Sequence, residues 1–125
     1  FTELRKEGLS IDRMNKNSNL KKKTWVEKCL LNTKGPIIAA TDYMRILPDM
    51  IRNWMPRKYV TLGTDGYGRS DTRENLRSFF EVDRYHILLS SIKSLIDEGK
   101  IPSNYFKKAV KKYNIKITLQ DPWNV

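Results

Sequence analysis

This sequence has too few cysteines and histidines for a disulfide or a standard metal cluster. Cys29 is its single cysteine and His86 its single histidine. One cysteine excludes an internal disulfide, and a chain without disulfides fits the reducing cytoplasm. The two residues together are also too few for a zinc-type cluster at standard spacing. A nucleophilic Cys29–His86 pair stays formally open, but the simpler expectation is a small, buried Cys29 and a His86 within a helix.

Long apolar runs are also missing. No run approaches the roughly 20 apolar residues that a membrane-spanning helix requires. The opening "FTELRKEG" is polar from its second residue, which predicts no secretory signal, and the absence of an initial methionine suggests an excised fragment. The length of 125 residues and the hydrophobic content of 39% predict one ordered domain over residues 1–125. We therefore expect a cytoplasmic chain without a membrane partner.

Acidic residues are scarce relative to basic ones, which leaves a net charge of +10. Lysine supplies 15 of the 24 basic residues. The runs "LKKKTW" and "FKKAVKKY" lack the interleaved arginines and aromatics of a groove that binds single-stranded nucleic acid. We expect mostly solvated lysine faces rather than a nucleic-acid partner. A freestanding basic module that binds nucleic acid or an acidic partner stays as an alternative, which steeply salt-dependent binding would favour.

The first third of the sequence predicts two helices separated by a loop. The segment "TELRKEG" predicts a short helix that Gly8 stops, and residues 12–23 predict an exposed loop. The segment "TWVEKCLLN" predicts a second helix, which Gly35-Pro36 ends. Four residues have the spacing of its inward face, namely Trp25, Val26, Cys29 and Leu30.

The next segment predicts a parallel strand–helix–strand crossover. "PIIAA" and "KYVTLG" are short apolar runs typical of strands covered on both faces. Between them, one helical stripe contains Met44, Leu47, Ile51 and Trp54. Pro48 is unfavourable inside a helix, so the start of this helix is left open between Pro48 and an earlier turn. The pattern predicts an α/β fold.

The remaining sequence predicts three helices. Asp71 and Glu74 resemble a capping box, with Leu76, Phe79 and Phe80 on the apolar face of the helix that follows. A longer helix begins at Asp83 and ends before Gly99. Ser103 caps a last helix, and "KITLQDPWNV" forms a tail whose Trp123 packs on the body. The expected inward residues of the last helix are Phe106, Ala109, Val110 and Tyr113.

Matching pairs of polar residues follow the two predicted strands. Thr41-Asp42 ends the first strand and Thr64-Asp65 ends the second. Ligands bind at the carboxyl edge of open parallel sheets, so we expect the two aspartates close together on that edge. The alternative, which we favour, is that each aspartate caps the turn or helix that follows it.

A glycine loop and an arginine cluster follow the second strand. Gly63, Gly66 and Gly68 have the spacing G-x-x-G-x-G, which is neither a dinucleotide fingerprint nor a phosphate loop ending in lysine. We expect a sharp turn with close packing, and phosphate binding by backbone amides is the alternative. The nearby arginines suit carboxylate ion pairs, within the chain or between subunits; they are Arg69, Arg73, Arg77 and Arg84. No pair of carboxylates for acid–base catalysis is identifiable.

Two long strings in this sequence carry a family resemblance. They are "GPIIAATDYMRILPDMIRNWMP" and "YVTLGTDGYGRSDTRENLRSFFEVD". Both resemble the C-terminal domain of the homodimeric-type pyruvate dehydrogenase decarboxylating (acetyl-transferring) subunit. "FTELRKEG" and "IPSNYFKKAVKKYNI" are similar as well, so the resemblance covers roughly the whole chain. It is most specific in "LGTDGYGRSDTRENLR" and "AATDYM".

The resemblance implies a transketolase C-terminal-like fold, a mostly parallel sheet flanked by helices, here incomplete on its N-terminal side. It implies an enzyme of pyruvate metabolism, linked to glycolysis, that decarboxylates pyruvate oxidatively and transfers the acetyl unit to a lipoyl group. In that family, thiamin diphosphate and Mg²⁺ are bound by two preceding domains. We therefore expect no catalytic, cofactor-binding or metal-binding residue here, and a fragment that is inactive alone and marginally stable or self-associating.

The resemblance also implies the partners of this chain. They are the remaining domains and the second subunit of a homodimer, together with the lipoyl-bearing acyltransferase of the complex. We expect the strand-edge loop and arginine cluster to make interdomain or subunit contacts. The expected contact residues are Asp42, Asp65, Gly66, Tyr67, Gly68, Arg69, Ser70, Arg73 and Arg77. A related transketolase-like enzyme with another substrate is an alternative.

Overall fold

The computed structural model describes residues 1–64 and 73–117. Its elements in chain order are α1 (Thr2–Lys16), α2 (Trp25–Leu30), β1 (Ile37–Ala40), α3 (Ile46–Asp49), a 3₁₀ turn (Arg52–Trp54), β2 (Tyr59–Leu62), α4 (Arg73–Phe79), α5 (Arg84–Asp97) and α6 (Asn104–Lys112). The order confirms the predicted α/β class. None of the helices in the described ranges has the length and apolarity needed to cross a membrane.

The two strands pair in parallel, as predicted. Ile37 lies opposite Tyr59 and Ala40 lies opposite Leu62. Within the described residues this sheet has two strands, and helix α5 packs against β1 and α6. The amide of Thr41 donates to the carbonyl of Leu62 at 2.9 Å, so the pairing continues to the carboxyl end of β1. The sheet therefore brings the ends of both strands to one edge.

Helix α1 passes through Gly8, so the predicted stop at this residue is wrong. The helix continues to Lys16 and includes the first part of the predicted loop. Gly8 is buried, and a Cβ atom placed there would lie 2.5–2.7 Å from ring atoms of Trp54. Glycine is present because the helix backbone approaches this ring closely. The Trp54 Nε1 also donates to the Asp12 carboxylate at 3.0 Å, which ties α1 to the 3₁₀ turn.

Helix α2 forms where predicted but presents a different face to the core. Val26 is buried and Leu30 half-buried, whereas Trp25 is 62% exposed and Cys29 is also exposed. The expectation of a buried Cys29 is therefore wrong. The i, i+1, i+4, i+5 spacing marks a broad arc, and this six-residue helix buries only part of it. Thr24 and Glu27 form a complete capping box at its start.

Helix α2 also ends earlier than Gly35-Pro36, because Arg57 satisfies the carbonyls that follow it. The Arg57 guanidinium donates to the carbonyls of Leu30, Thr33 and Gly35 at 3.3, 2.8 and 2.7 Å. The last carbonyls of a helix lack partners within the helix, and a single guanidinium supplies several donors. Gly35 itself has φ +91°, which closes the turn into β1.

The apolar residues predicted to form one helical stripe between the strands are divided between helix α3 and the 3₁₀ turn. Helix α3 begins before Pro48, which occupies its first turn, where proline removes no helical hydrogen bond. A 3₁₀ turn follows, and Met44 precedes both elements with 53% of its surface exposed. Ile51 and Trp54 are buried as predicted. The start of the helix, which the sequence left open, is at Ile46, and Met44 lies before it.

The main core lies between α1, α2, the crossover and the sheet. Its buried members are Val26, Ile51, Trp54 and Tyr59, and the partly buried residues packed against them are Leu4, Leu30, Ile37, Ala39 and Met55. The Tyr59 hydroxyl donates to the carbonyl of Pro48 at 2.8 Å. Burial, reinforced by the Asp49 carboxylate, raises the pKa of Tyr59 above its usual value, while Arg52 opposes this shift.

The three helices predicted for the second half are present. Phe80 is buried after α4, and Asp83 accepts from the amide of His86 at the start of α5, as predicted. Gly99 has φ +72° just after α5, as expected for a left-handed helix end. Ser103 occupies the residue before α6, but its side chain caps no amide, so that prediction is wrong in detail. Asp71 and Trp123 lie outside the described residues.

The apolar side of α6 only partly follows the prediction. Ala109 is buried, while Phe106 and Val110 are half-buried. Tyr113 is 43% exposed and lies 5.9 Å from Tyr85, measured between ring centroids. The predicted inward position of Tyr113 is therefore wrong, because this residue follows the last turn of α6 and stacks beside α5 at the surface.

Candidate functional site

An open cleft lies at the carboxyl end of β1. Its volume is about 930 Å³. It is bounded by the end of β1, by α4, by the start of α5 and by the segment after α6. The lining residues are Ala40, Thr41, Asp42, Asn75, Ser78, Val82, Asp83, Arg84, Tyr85, His86, Ile87, Tyr113, Asn114, Ile115 and Lys116. This is the edge at which ligands and neighbouring domains meet open parallel sheets.

The backbone after β1 is fixed against the backbone after β2. The Thr64 amide donates to the carbonyl of Tyr43 at 2.9 Å, and the Thr64 hydroxyl donates to the carbonyl of Asp42 at 2.9 Å. A Cβ at Gly63 would lie 2.6 Å from the backbone nitrogen of Arg45. Gly63 therefore permits two loops to pack closely. This supports the structural explanation for this glycine rather than a phosphate site.

Asp42 is exposed and lines the cleft at the end of β1. The preceding Thr41 hydroxyl accepts from the amide of Tyr43 at 3.1 Å, so a threonine side chain orders the turn. Asp65 lies outside the described residues, and the predicted proximity of the two aspartates stays a prediction.

The other predicted contact residues follow directly after this edge. Five of them fall outside the described residues, namely Gly66, Tyr67, Gly68, Arg69 and Ser70. Arg73 and Arg77 lie on α4, four residues apart and hence one helical turn from each other, and their side chains are not among those described. Arg84 lines the cleft, where its guanidinium lies 4.9 Å from the centroid of the Tyr85 ring.

An aspartate–histidine pair in the cleft was not predicted as a functional feature. The Asp83 carboxylate accepts from the backbone amide of His86 at 3.0 Å and lies 2.6 Å from its ring Nδ1. Both side chains are mostly buried, with exposures of 19% and 15%. The signal in the sequence was an N-cap aspartate three residues before a histidine. The pair fixes the imidazole ring at the start of α5, which is a positioning role.

The cleft offers polar groups for docking rather than an assembled catalytic set. Cys29 lies on α2 and is absent from the lining, so the described structure does not support a Cys29–His86 pair. Residues 1–64 and 73–117 contain no group of three or more His, Cys, Asp or Glu side chains able to hold a metal ion. The cleft is also open, which suits a surface that another chain segment covers.

Comparison with known proteins adds the family context. A family model described as "Transketolase-like TK C-terminal domain" matches residues 3–83. A pyruvate dehydrogenase E1 component from Cupriavidus necator is 47% identical over all of this chain and 14% of its own length. Proteins of the same name from Pseudomonas aeruginosa and Escherichia coli K12 are 44% and 35% identical, each over 98% of this chain and 14% of the relative. The chain thus spans about one seventh of these relatives.

Proposed function

Because this chain belongs to the transketolase-like C-terminal domain family, we propose that it is the C-terminal scaffold and assembly domain of a pyruvate dehydrogenase decarboxylating subunit. The parent enzyme decarboxylates pyruvate oxidatively and transfers the acetyl unit to a lipoyl group. It acts in the cytoplasm as a homodimer, in the pyruvate metabolism that follows glycolysis. The observation that carries this proposal is the 47% identity to a pyruvate dehydrogenase E1 component, which extends over the whole chain.

The parent activity uses thiamin diphosphate with Mg²⁺, which we place outside this chain. A Mg²⁺ ion is usually held by oxygen ligands from carboxylates and by the phosphates of its substrate. The described residues do not fit this group, since they offer no cluster of carboxylates for the metal. We propose that the fragment alone is inactive and that it holds other parts of the enzyme in position.

The contact surface of this domain is the cleft edge and the loop that follows β2. Asp42 is exposed there, and the two loops at this edge are joined by the hydrogen bonds from Thr64 to Tyr43 and Asp42. A preformed surface loses less conformational entropy when a neighbouring domain covers it. We extend this surface to Arg73 and Arg77, which suit carboxylate partners on another domain or subunit. Besides the other domains and the second subunit, the proposed partner of the parent enzyme is the lipoyl-bearing acyltransferase of the complex.

A chimera tests the proposal. The segment of the Cupriavidus necator relative that matches this chain is replaced by residues 1–125, and pyruvate-dependent CO₂ release is measured with added thiamin diphosphate and Mg²⁺. We expect assembly like the parent's and turnover within about tenfold, because 47% identity preserves the core and its contacts. A chimera that assembles correctly but releases no CO₂ from pyruvate would contradict the proposal.

A second pair of chimeras tests the contact surface. One carries Arg73→Ala with Arg77→Ala, and the matched control carries Lys21→Ala with Lys23→Ala, which removes the same charge from the exposed segment before α2. The arginine variant is expected to dissociate at higher protein concentration than the control, measured by sedimentation velocity, and to lose turnover in parallel. Unchanged assembly and turnover in the arginine variant would count against the contact surface.

A further inference from the structure

Helix α6 and its flanks form the most one-sided charge distribution of the described chain. Residues 100–116 contain six lysines and neither aspartate nor glutamate. The lysines are Lys100, Lys107, Lys108, Lys111, Lys112 and Lys116, and all six are exposed. This segment therefore carries a charge of +6 within a chain of net charge +10.

Four of these lysines share one face of α6. At about 100° per residue, Lys107, Lys108, Lys111 and Lys112 fall within an arc of roughly 140°. The opposite arc contains the buried Ala109 and the half-buried Phe106 and Val110. We call these four residues the α6 lysine face. Because the apolar side packs on the domain, the α6 lysine face points to solvent.

The charges of the α6 lysine face are not neutralised within the described residues. None of its four ammonium groups lies within ion-pair distance of a described carboxylate, whereas Lys58 and Lys93 both pair with Asp97. Lys108 and Lys112 instead lie over the rings of Tyr105 and Tyr113, each 5.3 Å from the ring centroid. Cation–π contacts hold these two stems in place and leave the positive charge unpaired.

We propose that the α6 lysine face docks an acidic polypeptide surface on a protein partner. Positive and negative patches that match across an interface speed encounter and fix register. The geometry favours protein over nucleic acid, because Lys108 and Lys112 lie over the exposed rings of Tyr105 and Tyr113 and occupy one face of each ring on which a base would stack. Residues 85–125 also contain no arginine for bidentate phosphate contacts.

An anionic membrane is a less suitable partner for the α6 lysine face than an acidic polypeptide. A helix that lies in a membrane surface inserts its apolar face between lipids. The apolar face of helix α6 packs against α5, so only the lysine side chains of this helix could contact a membrane. In the sequence, the α6 lysine face lies after residue 83, the last residue that the family model matches. The test of this proposal does not depend on the reaction proposed above.

The test compares two variants of equal net charge. The first replaces Lys107, Lys108, Lys111 and Lys112 with glutamine. The second replaces Lys16, Lys21, Lys22 and Lys23 with glutamine, and all eight lysines are exposed. Both variants change the net charge from +10 to +6. The probe is fluorescent poly-L-glutamate at fixed ionic strength, and binding is followed by anisotropy. Far-UV circular dichroism and a thermal melt verify folding.

We expect the wild-type chain to bind the probe and the first variant to bind about 30-fold more weakly, from four exposed charge pairs of typical strength. The second variant should stay within about threefold of wild type. A third variant with arginine at the four α6 positions should retain binding, because it keeps the charge. Equal losses in both glutamine variants would overturn the proposal, since total charge alone would then explain binding.

Two further probes decide the class of partner. Double-stranded DNA and phosphatidylserine vesicles are titrated at the same concentration of negative charge. Weaker binding to both than to poly-L-glutamate is the expected result. Tighter binding to DNA would assign the α6 lysine face to nucleic acid, and tighter binding to vesicles would assign it to a membrane. Either result, or no binding to poly-L-glutamate, would overturn the proposal.

Discussion

Replacing Gly8 with alanine tests the close approach of helix α1 to the Trp54 ring. A Cβ at this position would lie 2.5 Å from Cε2 and 2.7 Å from Cζ2 of Trp54. Carbon atoms pack favourably at about 3.5–4.0 Å, so the ring would have to move by roughly 1 Å. Trp54 is 6% exposed and its Nε1 donates to Asp12, which leaves the ring little freedom to move.

Two opposing terms set the size of the effect. Alanine is favoured over glycine inside a helix by up to about 1 kcal/mol. Overpacking a well-filled core costs about 1–3 kcal/mol, and weakening the Trp54–Asp12 hydrogen bond adds about 1 kcal/mol. We expect Gly8→Ala to lower the free energy of unfolding by about 1–3 kcal/mol. The melting temperature should then fall by at least about 3 °C.

Urea denaturation followed by circular dichroism measures this change. The control is Ser10→Ala, an exposed residue of the same helix, which should be neutral or slightly stabilising. Combining Gly8→Ala with Trp54→Phe should cost less than the sum of the two single changes, because the smaller ring leaves room for the methyl group. A Gly8→Ala variant more stable than wild type would refute the packing of α1 described here.

Three further predictions concern a cap, a partly buried guanidinium and an ion pair. Thr24→Ala should cost about 1 kcal/mol of unfolding free energy, because the Glu27 amide loses its acceptor, whereas Thr24→Ser should cost less. Equal stabilities of these two variants in urea would contradict the capping box. Arg57→Ala should cost about 1–3 kcal/mol, because several carbonyls lose their donor, and Arg57→Lys should recover only part of it. Full recovery by lysine would contradict that account. The pKa of Asp97 is lowered, first by hydrogen bonds from Lys58 and Lys93, so its stabilising contribution is complete above the unfolded value of 3.8 and is lost as pH falls below it. Asp97→Asn should therefore lower the melting temperature at pH 7 and have little effect at pH 2; a pH-independent difference would contradict this.

The sequence predicts the elements of this fold better than it predicts their burial. The strands beginning at Ile37 and Tyr59, and the start of α5 at Asp83, follow from apolar runs and a capping residue. Gly8 was misinterpreted because a glycine that ends a helix and a glycine that admits a neighbouring ring look the same in one sequence. Only the position of Trp54, far away along the chain, distinguishes them.

The candidate site could be predicted only in outline. Asp42 was placed at the strand edge because parallel strands end on the same side of a sheet. The other boundaries of the cleft, Asp83 with His86 and the residues after α6, come from distant segments that no local pattern connects to β1. The exposure of Cys29 was missed because spacing identifies an arc of a helix but not how much of that arc the fold covers.

The most direct test of the scaffold role measures pyruvate-dependent CO₂ release by two preparations, with thiamin diphosphate and Mg²⁺ present in both. One is the 125-residue chain alone, and the other is the chimera that carries this chain in the Cupriavidus necator relative. We predict no turnover by the chain and turnover within about tenfold of the parent's by the chimera. Turnover by the chain alone, or an inactive chimera that has assembled correctly, would contradict it.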